Sequence, residues 1–190
     1  MKNTIIYLLG FPGTGKYTIA KEICKQADVR LVDNHLINNP VFAVIGDKGK
    51  TLLPPAVWDQ TAKIRAVVLN TMKTLSPPDY SFVFTNALIA NDPVDQEIYE
   101  AIENTAIARK ATFVPVRLTC EIEENMQRIT HPDRKLHMKT LRPETARKFR
   151  EHHEIMQTNH PNELTLDVTN LQPQSATQII LNHTKNCQKT

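Results

Sequence analysis

The run Gly10-Phe11-Pro12-Gly13-Thr14-Gly15-Lys16 constrains this chain more than any other stretch. It has the spacing G-x-x-x-x-G-K and lies between an apolar segment, Thr4–Leu9, and a segment with helical patterning, Lys16–Gln26. Glycines at these positions let successive backbone N–H groups turn toward one anion. The amino end of the following helix adds its partial positive charge. Lys16 supplies the formal charge that the β and γ phosphates of a nucleotide require. Such a loop works only when a strand delivers it and a helix leaves it, so the motif demands an α/β fold.

The rest of the chain agrees with that demand. Residues 29–32, 80–84, 112–118 and 163–168 read as further strands, most of them near-continuous apolar runs suited to a parallel sheet covered on both faces. Helical stretches alternate with them: from Pro54-Pro55 to near Leu75, then 93–109, 121–129, 143–158 and 173–186. Several open on proline, which fits the first turn of a helix. The alternation predicts a three-layer, doubly wound, five-stranded parallel sheet in one domain over residues 1–190. Residues 130–142 have poor apolar periodicity and carry six basic or histidine side chains, and are expected to form a mobile basic lid.

Composition excludes several classes. With 41% hydrophobic and 23% charged residues, wholesale disorder and fibrous repeats do not fit. A net charge of +3 is too small to imply nucleic acid. Cys24, Cys120 and Cys187 form no C-x-x-C pair, which argues against a disulfide framework or a cysteine zinc site. The seven histidines include no H-x-x-x-H, and adjacent His152 and His153 cannot easily share a metal on a helix. The apolar run at the amino end stops at Gly10, too short for a leader, and none elsewhere approaches the roughly 20 residues a span requires. The expectation is a soluble cytoplasmic protein with no membrane partner.

The fuller pattern G-x-P-G-x-G-K-x-T resembles the loop of adenylate kinases and related nucleoside monophosphate kinases. The order of elements resembles the broad group of P-loop small-molecule kinases that includes adenylate, shikimate and gluconate kinases. The resemblance implies ATP and Mg²⁺, with Gly10, Pro12, Gly13, Thr14, Gly15, Lys16, Tyr17 and Thr18 around the nucleotide. Tyr17 stands where many such loops carry the serine or threonine that holds the metal, and Thr18 has the next hydroxyl.

Asp33, at the end of the second strand, resembles the first of two aspartates in shikimate kinases, where it would hold a water of the Mg²⁺ shell. His35 replaces the second. Either Asp33 or His35 could take a proton from an acceptor hydroxyl, or both could simply cap a following helix. Thr85 and Asn86 end the third strand, where open α/β sheets bind ligands, and no Walker B acid stands there. Arg65 matches a helix that supplies an arginine to the acceptor in this group, although a solvated arginine is the plain alternative. Trp58 reads as packing. Arg128 and Arg134 resemble paired lid arginines that meet the charge of phosphoryl transfer. Backbone groups of 168–173 would lie beside the base, with Asp167 ordering the turn.

The implied activity is transfer of the γ-phosphoryl group of ATP to a hydroxyl or phosphate of a small metabolite or nucleotide-like acceptor. A polynucleotide 5′-hydroxyl kinase would need a basic groove with aromatic platforms, which 6% aromatic residues and +3 charge do not favour. An ATP-binding switch or toxin-like module is favoured by Tyr17 and by the missing Walker B acid. Neither the acceptor nor the oligomeric state is legible.

Overall fold

The computed structural model describes residues 1–46, 53–130 and 143–189. The elements run β1 (Thr4–Leu9), α1 (Lys16–Gln26), β2 (Val29–Asp33), α2 (Asn34–Ile45), α3 (Pro55–Thr74) and β3 (Ser81–Asn86). They continue α4 (Pro93–Arg109), β4 (Thr112–Thr119), α5 (Ile122–Ile129), α6 (Pro143–His152), β5 (Leu164–Asp167) and α7 (Pro173–Cys187). The five strands form one parallel sheet in the order β2-β3-β1-β4-β5.

Side chains alternate across a strand, so β1 feeds two separate cores. Ile6 and Leu8 pack with Ile19 and Ile23 of α1 and Ile180 of α7. Ile5, Tyr7 and Leu9 pack on the other face with Leu69 of α3 and Tyr99 and Ile102 of α4. A strand covered on both faces has no polar side to show, which is why Thr4–Leu9 is apolar almost throughout and fully buried. The edge strands differ. β5 alternates half-buried and exposed residues, so its expected two-sided burial does not hold there. An edge strand has only one neighbour to shield it.

Helix starts follow local chemistry. The Asp92 carboxylate accepts from the N–H groups of Val94 (2.9 Å) and Asp95 (3.1 Å), and Pro93 occupies the first turn of α4. Two regions depart from the sequence reading. Residues 34–45 are not among the helical stretches read from the sequence, yet they form α2, with Pro40 inside it and Gly46 closing it at φ 70°. Three asparagines and an internal proline hide this helix from propensity alone. Conversely, α6 stops at His152 instead of reaching 158, because the following residues are extended. Ile155 bridges antiparallel to Ile89, and the Ala90 and Met156 N–H groups donate to Glu154 and Leu88 at 2.8 and 2.9 Å. Burial of Ile155 and Met156 in the α3–α4 core outweighs local helical preference.

Among the described residues, no helix is long and apolar enough to cross a membrane. Residues 131–142 of the candidate lid at 130–142 lie outside the described residues, as do 47–52.

The edge of the sheet where the strands begin is clamped by Arg109. Its guanidinium donates to the carbonyls of Met72, Pro77 (2.8 Å) and Tyr80 (3.3 Å), while Asn3 holds the Arg109 carbonyl at 3.0 Å. Removing the donor strands several carbonyls far from the phosphate loop. Arg109→Met is expected to lower unfolding free energy by about 2–3 kcal/mol in urea titration, with nucleotide affinity unchanged.

Candidate functional site

The phosphate loop leaves β1 at Gly10 and enters α1 at Lys16. Three consecutive carbonyls in it are held by side chains. Lys16 Nζ donates to Gly10 O at 2.6 Å and to Phe11 O at 2.9 Å. The Thr14 backbone N–H and hydroxyl also donate to Phe11 O, at 3.2 and 3.0 Å. Asn125 Nδ2, from α5, donates to Pro12 O at 3.0 Å. Carbonyls fixed in this way cannot turn into the cradle where phosphate oxygens would lie.

Gly13 is required twice over. Its φ of 92° is in the left-handed region, and a Cβ there would come within 2.5 Å of Asn125 Nδ2 and 2.7 Å of Ile129 Cγ1. Gly15, at φ 91°, is the N-cap of α1, and no side chain caps that helix. An uncapped helix start joined to a glycine loop and a lysine fits a polyphosphate. The residues present therefore suit the triphosphate of ATP.

A second cluster lies at the carboxyl ends of β2 and β3. The register pairs Asp33 with Thr85, and on the other side of β3 it pairs Leu9 with Asn86. Asp33 is only 4% exposed, and Thr85 and Asn86 are also buried. Thr85 donates its hydroxyl to Asp33 Oδ1 and accepts from the Asn34 N–H at 3.4 Å. Asp33 Oδ2 accepts from the His35 N–H at 3.2 Å, and His35 Nδ1 lies 3.5 Å from the same oxygen. The carboxylate thus caps α2, as the plain alternative expected, while holding His35 and Thr85 against it. A carboxylate here suits the shell of a hard cation such as Mg²⁺. Thr18 is exposed in the first turn of α1.

The arginines divide. Arg65 is half-buried on α3, where burial lowers its pKa and the neighbouring Tyr7 and Asp95 oppose that shift. The Tyr7 hydroxyl is buried without a hydrogen-bond partner among the described residues, and burial raises its pKa well above the usual tyrosine value. Burial also raises the Asp95 carboxyl, which accepts from the Ile89 N–H at 2.7 Å. Among the described residues, no hydrogen bond joins Arg65 to Asp33, Thr85 or Asn86.

Arg128 is placed differently. At the last turn of α5 it donates to Glu124 Oε1 at 2.7 Å and to the carbonyls of Val168 and Thr169, each at 2.9 Å. Its Nη1 lies 3.9 Å from where a Cβ on Gly15 would be. It ties α5 to the turn after β5, beside the phosphate loop. Asp167 orders that turn as expected, accepting from the Thr169 N–H at 2.8 Å. Arg134 lies outside the described residues. Trp58 packs edge-on against Phe42 at 5.8 Å but remains 46% exposed, so it is only partly a packing residue.

Asn125 was not singled out in the sequence. It is fully buried between Glu124 and Met126 on a helix whose inward stripe also includes Ile129. An asparagine on the apolar stripe of a short amphipathic helix is the signal that could have found it. Asn125→Ala is expected to weaken binding of a non-hydrolysable ATP analogue about tenfold by calorimetry, the worth of one buried hydrogen bond. Gly13→Ala is expected to abolish it.

No protein-family profile matches this sequence, and no curated protein does so. Solved structures match it in shape. A gluconokinase from Sinorhizobium meliloti is 11% identical with a TM-score of 0.64, covering 97% of this chain and 93% of that one. A thymidylate kinase from Candida albicans is 14% identical with a TM-score of 0.60, covering 98% and 93%. A shikimate kinase from Acinetobacter baumannii is 15% identical with a TM-score of 0.55, covering 96% and 93%. The chain therefore has the α/β fold of the P-loop small-molecule kinases, along nearly its whole length.

Proposed function

We propose that this protein is an ATP-dependent phosphotransferase acting on a small-molecule acceptor. The observation that carries the reading is the phosphate loop itself. Its carbonyls at Gly10, Phe11 and Pro12 are held by Lys16, Thr14 and Asn125 at the head of an uncapped helix. The gluconokinase, thymidylate kinase and shikimate kinase that share the fold support transfer as the use of that loop.

In this reading the triphosphate of ATP enters the loop, and Lys16 exchanges its loop carbonyls for β- and γ-phosphate oxygens. Gly10, Pro12, Gly13, Thr14, Gly15, Tyr17 and Thr18 surround the phosphates. Mg²⁺ arriving with ATP would offset charge on those oxygens, and Asp33 and Thr18 are the residues that would hold its shell. The acceptor oxygen attacks the γ-phosphorus in line as the bond to the β-phosphate oxygen breaks, leaving ADP. The acceptor proton passes to Asp33 or to His35, which lie within 3.5 Å of one another. Thr85 and Asn86 at the strand end, and Arg65 on α3, hold the acceptor. Arg128 and Arg134 meet the charge that spreads over the equatorial oxygens.

A second reading, an ATP-binding switch with little turnover, is favoured by Tyr17 at the usual hydroxyl position and Asn86 at the strand end. The two separate in one assay. Conversion of ATP to ADP with Mg²⁺ is followed against pooled nucleosides, nucleotides, sugars and hydroxy acids, with Lys16→Ala alongside. Acceptor-dependent turnover that falls at least 100-fold in the variant is the expected result. ATP binding without turnover above the variant would instead favour the switch.

A further inference from the structure

We infer that Phe149 and Arg150 of α6 are positioning residues for the nucleotide, acting through the ring of Phe11 in the phosphate loop. The inference rests on the reading that this loop receives ATP, and it adds the helix that sets the loop from outside.

Ala146, Phe149 and Arg150 face inward at the i, i+3, i+4 spacing of one helix stripe, and His153 just past α6 continues it. Ala146 packs with Met126 and Ile129 of α5. The others meet the phosphate loop. The Phe149 ring stands edge-on to Phe11 at 6.1 Å and is backed by His153 at 4.5 Å. The Arg150 guanidinium lies over the Phe11 ring, 5.0 Å from its centre, and donates from Nη2 to the Cys120 carbonyl at 2.8 Å. Arg150 Nη1 is buried with no hydrogen-bond acceptor among the described residues, so the negative face of the Phe11 ring is the surface the cation meets.

Phe11 is more than a packing residue. Its half-buried ring is wedged between α6 and the α3–α4 core, while its carbonyl is the one that both Lys16 Nζ and Thr14 hold. Contacts that fix the ring therefore fix the direction of that carbonyl and the resting place of Lys16. The next two loop residues are gripped from α5: Asn125 holds the Pro12 carbonyl, and Asn125 and Ile129 lie against Gly13. Phosphates bound in the loop would fix its backbone in the conformation that presents the Phe11 ring to α6. Linkage then makes the two effects reciprocal. Loosening the ring contact weakens nucleotide binding, and nucleotide binding steadies α6.

The test uses the full chain. AMP-PNP with Mg²⁺ is titrated calorimetrically into the native protein, Phe11→Leu, Phe149→Leu and the double variant. Amide hydrogen exchange of residues 146–152 is followed with and without the nucleotide. Each single change is expected to weaken AMP-PNP binding about fivefold, the scale of one aromatic pair. The double variant is expected to bind no more weakly than either single one. Arg150→Gln is expected to show a similar loss in the native background and none in Phe11→Leu. Phe149→Tyr keeps the ring and should bind within about twofold of native, and Lys148→Gln, on the exposed side of α6, should bind as native does. Exchange in α6 is expected to slow when AMP-PNP is added to the native protein and not when it is added to Phe149→Leu. Ring packing without a positioning role would lower the melting temperature of the variants and leave their AMP-PNP affinity at the native value. That result would overturn the inference while leaving the nucleotide reading intact. So would additive losses in the double variant, an Arg150→Gln loss that persists in Phe11→Leu, or α6 exchange indifferent to bound AMP-PNP. A native protein that does not bind AMP-PNP would contradict the nucleotide reading and the inference together.

Discussion

Burial of β1 between two helical layers is the constraint on which the rest of the structure depends. Its side chains divide between the α1–α7 core and the α3–α4 core, and both neighbours in the sheet are parallel strands. A strand fixed on four sides has one free direction, its carboxyl end, and the phosphate loop leaves from there. The loop therefore inherits its position from a fully buried segment. Asn125 and Lys16 then set its internal conformation.

The strand order explains why the remaining polar groups gather around that loop. After β1 the chain builds β2 and β3 on one side, then crosses to build β4 and β5 on the other. β1 thus sits at the point where the winding reverses, and crevices open there in α/β sheets. From the first side come Asp33, Thr85 and Asn86 at the strand ends. From the second side come Asn125 and Arg128 on α5 and the turn after β5. The two sides of β1 thus each supply part of the polar cluster around the loop.

Much of this was legible because it rests on short-range patterns. The loop motif, the five strands and the proline-started helices depend on local spacing, and the structure has them within a residue or two apart from the end of α6. Asp33 was singled out by resemblance, just after the second apolar run, and the structure places it at the end of β2 and the start of α2. What escaped depends on distant partners. The three asparagines and Pro40 of α2 argue locally against a helix, and only packing of Phe42 against Trp58 and of Ile37 into the interior supports one. Residues 153–158 continue a helical pattern, yet Ile155 and Met156 are drawn into the core beside Leu88. Asn125 acts on Pro12, 113 residues away in sequence, so no local window could assign its role. Arg65 was chosen by resemblance, and its half-burial depends on how α3 packs over β1.

The central claim is that residues 10–18 receive the phosphates of a nucleoside triphosphate. Amide NMR of the ¹⁵N-labelled chain, titrated with AMP-PNP and Mg²⁺, tests it most directly. The account predicts saturable shifts that are largest at Gly13, Gly15, Lys16 and Tyr17, smaller ones at Asn125 and Arg128, and none at Arg109. Shifts confined to other parts of the sheet, or saturation that leaves residues 10–18 unmoved, would contradict it.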